Sequence, residues 1–534
     1  MITITDLALS FSGTNLFSRV DLKFTEGNCY GVIGANGSGK STFLKILSGE
    51  IEQTKGEIII PPKLRMSVLK QDHYSYDEYN VLDAIYQGNP RLYEIMQLKE
   101  TLYAKEDFTE DDGNTAAELE GEFAEMNGWE AETEISRILQ GFGLNPDIMY
   151  NEMTSLDGSE KVKVLLAQAL FGEPDILIMD EPTNHLDIRS IKWFENFLMD
   201  FKGTVIVVSH DRHFLNNVCT HIVDIDYTKI KMYVGNYDFW YESSQLMQRL
   251  IADQNKKTDE KIKELQAFVQ RFSANKSKSN QATSRKKLID KLSYDEMPAS
   301  SRRYPFVQFM SERDLGKDVL TVTNLSKTID GEKLLENVSF ILGREDKVAF
   351  VSDNELALTT LYKILNEEIE PDEGSFKWGV STERSYFPKD NSAFFNDRSE
   401  NIVEWLSCYS KDQSQNYLRG FAGKMLFSGD DVLKPVKVLS GGEKVRLMFS
   451  RMMMFGSNTL VIDQPTNHLD LEAITAVNNG LIAYKGVVLF SSHDHQFIET
   501  VANRIIDITV GRPMIDRHGT YDEYLEYKDA KGIK

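Results

Sequence analysis

Apolar residues in this chain follow two rhythms. Short unbroken runs such as NCYGVI (Asn28–Ile33), DILIMD (Asp175–Asp180), TVIVVSH (Thr204–His210) and GVVLFSS (Gly486–Ser492) are strand-sized, and far shorter than the roughly 20 residues a membrane span needs. Three- and four-residue spacing marks helices instead. TFLKILSG (Thr42–Gly49) is one, and YEIMQLKETLYA (Tyr93–Ala104) and AAELEGEFAEM (Ala116–Met126) are two more, with EDFTEDDGN (Glu106–Asn114) read as an acidic turn between them. SSQLMQRLIADQNKKTDEKIKELQAFVQRF (Ser243–Phe272) carries the same spacing on a charged background. Strands alternating with helices predict an α/β protein.

The pattern repeats. Leu156 pairs with Leu439, Asp180 with Asp463 and His210 with His493, each 283 residues apart, and IMDEPTNHLD (Ile178–Asp187) returns as VIDQPTNHLD (Val461–Asp470). Earlier in each copy the offset is 318: GANGSGKS (Gly34–Ser41) aligns with SDNELALT (Ser352–Thr359), and Gln71 with Lys389. The first copy therefore holds 35 extra residues, placed at about 90–130 by the two helical segments. The expected domains are 1–241, a helical linker over 242–317 and a second copy over 318–534.

With 41% hydrophobic and 27% charged residues the chain reads as globular, and its net charge of −22 argues against nucleic acid unless a local patch reverses it. Such a patch exists. Between Arg271 and Lys291 there are seven basic residues and one acid, among them Arg271, Lys276, Lys278, Arg285, Lys286 and Lys287. We read 242–317 as two long helices joined by this basic tip, pointing to a phosphate-rich partner; a plain charged linker is the alternative. Cys29, Cys219 and Cys408, with no CxxC, suit a reducing cytosol and no metal site, and the N-terminal ITITDLALSF lacks the features of a signal peptide.

GANGSGKS follows a strand and opens a helix, the context a phosphate-binding loop requires. Gly34, Gly37 and Gly39 let backbone N–H groups curl around phosphate oxygens, Lys40 reaches the terminal phosphates and Ser41 offers a hydroxyl to Mg²⁺. Asp180 ends an apolar strand, where it can hold the metal through water, and Glu181 beside it can polarise an attacking water. His210 can reach the terminal phosphate from the C-terminal edge of its strand.

The ordered set GxxGxGKS, a glutamine loop at Gln71, an LSGGE-type helix start, an apolar strand ending in DE and a switch histidine resembles an ATP-binding cassette domain. Two such sets on one chain, each with PTNHLD after the DE or DQ strand, resemble the ABC-F family of translation factors, most closely its YbiT-type bacterial branch. The resemblance covers nearly the whole chain. It implies two tandem P-loop cassettes joined by a long helical hairpin linker, in a cytoplasmic monomer that hydrolyses ATP with Mg²⁺ and has no membrane subunit. The residues implied to bind ATP are Gly34, Ala35, Asn36, Gly37, Ser38, Gly39, Lys40, Ser41, Thr42 and Gln71, with Ser41, Gln71 and Asp180 around the metal. Glu181, His210 and Lys40 carry catalysis. Phe11 matches the adenine-stacking aromatic, with packing on an apolar neighbour as its other reading. The family's linker faces the P-site tRNA and rRNA, and its arm-like insert meets the exit-site region of the ribosome. Both a housekeeping translation factor and an antibiotic-resistance protector fit.

Members of this family pack their cassettes head to tail, so each nucleotide lies between one copy's loop and the other's LSGGE helix start. The second copy keeps Ser440, Gly441, Gly442 and Glu443 intact, whereas the first reads LDGSE, with Asp157 and Ser159 at altered positions. In the second loop Ser352, Glu355 and Ala357 replace glycines and Leu358 replaces the lysine; Lys389 stands for the glutamine, Ile329 for the aromatic and Gln464 for the catalytic carboxylate, although His493 remains. Under crossed pairing every loss falls in one composite site, which is expected to be inactive. An engineered Glu-to-Gln trap is the other reading of Gln464, but a trap would disarm Glu181 as well. An ATPase subunit of a transporter is the alternative function, and a DNA-associated ATPase a third; neither uses a basic linker and an insert of these lengths.

Overall fold

The computed structural model describes the chain apart from residues 12–13, 36, 70–71, 73, 106–107, 185, 273–283, 285–286, 290–301, 397, 467–468 and 534. It divides into two compact units, one comprising Met1–His185, Ser190–Ser209 and Phe214–Arg302, the other Leu186–Arg189, His210–His213 and Arg303–Lys534.

The first unit contains β1 (Ile2–Phe11), β2 (Thr14–Phe24), β3 (Cys29–Gly34), β4 (Lys55–Ile59), β5 (Met66–Val68), β6 (Ile176–Asp180), β7 (Thr204–Val208), β8 (His221–Asp226) and β9 (Lys229–Val234). One sheet has the order β5-β6-β7-β3-β8-β9, parallel throughout except for the β8–β9 hairpin. A second, antiparallel sheet has the order β2-β1-β4. β3 and β7 are buried along their whole length because both faces of the sheet are covered, which is why they appear as unbroken apolar runs in the sequence. Phe17, Val32, Phe43, Ile206 and Val223 belong to one buried cluster that joins the two sheets through the Lys40–Leu47 helix. Each such side chain contributes about 1.5–3 kcal/mol on burial.

The second unit repeats the plan with β10 (Leu320–Ile329), β11 (Glu332–Leu342), β12 (Lys347–Val351), β13 (Glu373–Trp378), β14 (Arg384–Phe387), β15 (Thr459–Asp463), β16 (Val487–Ser491), β17 (Arg504–Asp507) and β18 (Ile515–His518). Its sheets have the orders β14-β15-β16-β12-β17-β18 and β11-β10-β13.

Where the first copy is longer, helices span Pro90–Tyr103 and Glu110–Glu125. The acidic segment differs from the sequence reading: Glu110–Asn114 is the first turn of the second helix. Thr109 caps it reciprocally with Asp112, and three carboxylates at the N-terminus suit the helix dipole.

A 36-residue helix, Tyr237–Phe272, begins the linker and extends about 54 Å at 1.5 Å per residue. The expected second linker helix differs at its end, since residues 302–318 carry no helix. Pro305 has no N–H to donate and disfavours helical geometry at Tyr304, and the chain instead runs along the second unit. There Phe306 N–H donates to Lys424 O at 2.8 Å, Glu312 N–H to Gly456 O at 2.9 Å, and Phe309 is buried among Phe449 and Tyr484. At the start of that segment the Arg302 guanidinium pairs with Asp224 at 2.6 Å, with both side chains largely buried, and lies over the Trp240 ring near the beginning of the first linker helix.

Candidate nucleotide site

The phosphate-binding loop of the first unit is set by three local features. β3 is buried along its length and ends at Gly34, where an added Cβ would lie 2.5 Å from Ser38 Oγ and 2.7 Å from Ile225 O. Gly39, with φ of 98°, caps the helix that Lys40 begins, and a Cβ there would meet Leu16 at 2.6 Å. Both conditions demand glycine. The loop closes through Ser38 N–H donating to Ala35 O at 3.0 Å.

Lys40 is 8% exposed, and its Nζ donates to the carbonyls of Gly34 (2.8 Å) and Ala35 (3.4 Å). A cation folded back over its own loop carbonyls, beside the first N–H groups of a helix, is placed to meet an anion. Ser41 and Thr42 follow on the first turn of that helix. Asp180 closes β6 and pairs in register with Val208 of β7. Glu181 comes next with φ of 53°, its N–H donating to Val208 O at 2.9 Å. His210 lies two residues beyond β7.

Other predicted residues fall elsewhere. Asn36, Gln71, Lys276, Lys278, Arg285 and Lys286 lie outside the described residues, as do the side chains of Phe11 and Arg271. Arg271 itself belongs to the long linker helix, and Lys287 is exposed in a short helical stretch. Ser440 caps the Gly441–Phe455 helix of the second unit reciprocally with Glu443.

Asp157 has a role the sequence reading missed. Its carboxylate accepts from Glu160 N–H at 2.8 Å while the Glu160 carboxylate accepts from Asp157 N–H at 3.1 Å, so Asp157 caps the Gly158–Leu170 helix as Ser440 caps its counterpart. Spacing of a capping residue three positions before Glu was the available signal. Cys29 and Cys219 also meet, with sulfurs 3.7 Å apart; that contact and burial hold the Cys29 thiol well above its ordinary pKa, and so protonated.

In the second unit the corresponding edge is closed by internal bonds. Gln464, with φ of 52°, is buried and donates its N–H to Ser491 O at 3.1 Å. Asp463 accepts from Thr359 Oγ1 at 2.7 Å and from Ser491 Oγ at 2.9 Å, and burial raises its pKa against those two bonds. Glu355 accepts from both His493 Nε2 and Lys389 Nζ. The His493 bond, with Lys389 assisting, lowers its carboxyl pKa to about 2. Leu358, in the place of the phosphate lysine, is buried in the core.

A family model described as ABC transporter matches residues 17–184 and 335–467, and a second with the same description matches 223–309. The chain is 60% identical to the uncharacterized ABC transporter ATP-binding protein YkpA of Bacillus subtilis (strain 168), covering 99% of this chain and 98% of that protein. It is 43% identical to the probable ATP-binding protein YbiT of Escherichia coli O157:H7, covering both chains completely. With the energy-dependent translational throttle protein EttA of the same strain it shares 29% identity over 96% of this chain and 93% of that one. Two cassettes with a loop built for phosphate, on a chain that aligns end to end with such relatives, make this protein an ATP hydrolase of the ABC-F family.

Proposed function

We propose that the protein is a cytoplasmic, monomeric ATPase that acts on the ribosome in translation. ATP held by Gly34–Thr42, Gln71 and Phe11 is completed by Ser440, Gly441, Gly442 and Glu443 when the cassettes pair head to tail. Mg²⁺ fits the hard oxygen donors of Ser41 and Asp180 and supplies charge neutralisation at the phosphates. Glu181 takes the proton of the attacking water, and His210 contacts the terminal phosphate. The γ-phosphate bridges the two cassettes only while attached, so its loss removes the preference for the closed state and allows release. The Arg271–Lys287 tip meets rRNA and the P-site tRNA, and the insert meets the exit-site region.

The sorting of losses carries this reading. Ser352, Glu355, Leu358, Lys389 and Gln464 on one copy, with Asp157 and Ser159 on the other, all belong to a single composite site under crossed pairing, and the other site keeps every part. The translational relative at 29% identity supports the ribosome as partner. Glu181→Gln is expected to leave the protein bound to ribosomes in ATP, measured by ribosome pelleting. No added retention would count against the proposal, and co-purification with a membrane protein in place of ribosomes would favour a transporter subunit.

A further inference from the structure

In the first unit the helix after the phosphate loop begins at Lys40, and in the second it begins at Glu355, which aligns with Gly37. The last part of the loop has become a helical turn. Gly37 has φ of 81°, whereas Glu355 is not among the residues of positive φ, so exchanging glycine for an ordinary side chain went with a change from loop to right-handed helix. This turn places the Glu355 carboxylate at the C-terminal edge of the sheet. One oxygen accepts from His493, two residues past β16, and the other from Lys389, two residues past β14. Between them, at the end of β15, Asp463 is bonded to Thr359 and Ser491. Four strand ends that neighbour one another in the order β14-β15-β16-β12 are thus tied together by side chains of the chain itself.

We propose that Glu355 is a built-in substitute for a nucleotide phosphate. Its carboxylate is an oxyanion ionised at any physiological pH. It engages the switch histidine and the residue at the glutamine-loop position, two groups that in an intact cassette would face the terminal phosphate. The second unit therefore holds its strand-end loops in a loaded arrangement without nucleotide, and the ligand class its pocket accepts is a small oxyanion supplied in cis.

This inference rests on reading the composite site of the second loop as inactive and without nucleotide, and the two are tested apart. The full chain carrying Lys40→Ala, which removes the phosphate lysine of the first loop, is titrated with inorganic phosphate by calorimetry. Adding Glu355→Ala is expected to create a saturable phosphate site about tenfold or more tighter than any in the parent, the effect of about one charge-assisted hydrogen bond. A further Lys389→Ala change is expected to abolish it. Should Glu355→Ala fail to fold, Glu355→Gln keeps the bulk, and the His493 imidazole resonances are expected to move relative to the parent and then respond to phosphate. Parent binding equal to that of the variants, or no phosphate response in either Glu355 variant, overturns the inference. In the unmodified chain, two ATP bound would overturn the one-site reading, whereas one ATP bound with no phosphate gained would overturn only the substitution by Glu355.

Discussion

Glu181 and Gln464 occupy one backbone position in two copies of the same fold. Each follows the end of a parallel strand in left-handed geometry, with φ of 53° and 52°, and each donates its N–H to a carbonyl of the neighbouring strand, that of Val208 or Ser491. That geometry costs on the order of 1–3 kcal/mol for a residue other than glycine, and the sheet holds it in both copies. The phosphate loops behave differently: the first keeps glycines that close contacts demand, while the second has been absorbed into a helix. A strand end supported by its neighbours keeps its shape when its chemistry changes, but a loop shaped by glycine does not.

The two copies differ most in effect at the carboxylate. Replacing Glu181 by Gln is expected to lower ATP turnover by a factor of about 10² to 10⁴, whereas restoring a carboxylate by Gln464→Glu leaves turnover within twofold or so of the parent. A phosphate-release assay reads both. A gain from Gln464→Glu well beyond twofold would mean the second site is live.

What the sequence made legible follows from which constraints are local. The Gly34–Ser41 loop could be read because a strand, its glycines and a helix are contiguous, and the twin strands because the chain repeats them. The Glu355 network could not. Lys389 lies 34 residues away and His493 138 residues away, and only the order of strands brings them to one edge. The Arg302–Asp224 pair, 78 residues apart, was hidden for the same reason. Asp157 was readable as a cap, because the residue it pairs with, Glu160, lies only three positions on. The linker's end differs because a single residue, Pro305, redirects the chain along the second unit.

The two units also solve one buried charge differently. Asp224 is met by Arg302 and the Trp240 indole, while its repeat partner Asp507 is met by Arg512 and the Tyr524 hydroxyl. Arg302→Ala strands a buried carboxylate and is expected to cost about 3–5 kcal/mol in chemical denaturation. Arg302→Ala with Asp224→Asn should recover a large part of that loss.

Smaller effects separate cap from charge. Asp157→Ala is expected to destabilise its helix by about 1 kcal/mol and Asp157→Ser to be nearly neutral, measured by thermal unfolding. The smallest effect is that of pH on Glu355. Its folded pKa is depressed to about 2 from an ordinary 4.5, so its contribution is complete above the ordinary value and is lost as pH falls through about 2. The carboxylate is 44% exposed, so solvent screening keeps that contribution below about 1 kcal/mol. The stability difference between wild type and Glu355→Gln should therefore shrink steadily between about pH 5 and pH 2.

ATP turnover of wild type and Lys40→Ala, each with and without purified ribosomes, tests the division of labour most directly. Ribosomes are expected to raise the wild-type rate, and Lys40→Ala to abolish turnover under both conditions. Turnover that survives the loss of Lys40, or that is indifferent to ribosomes, would contradict it.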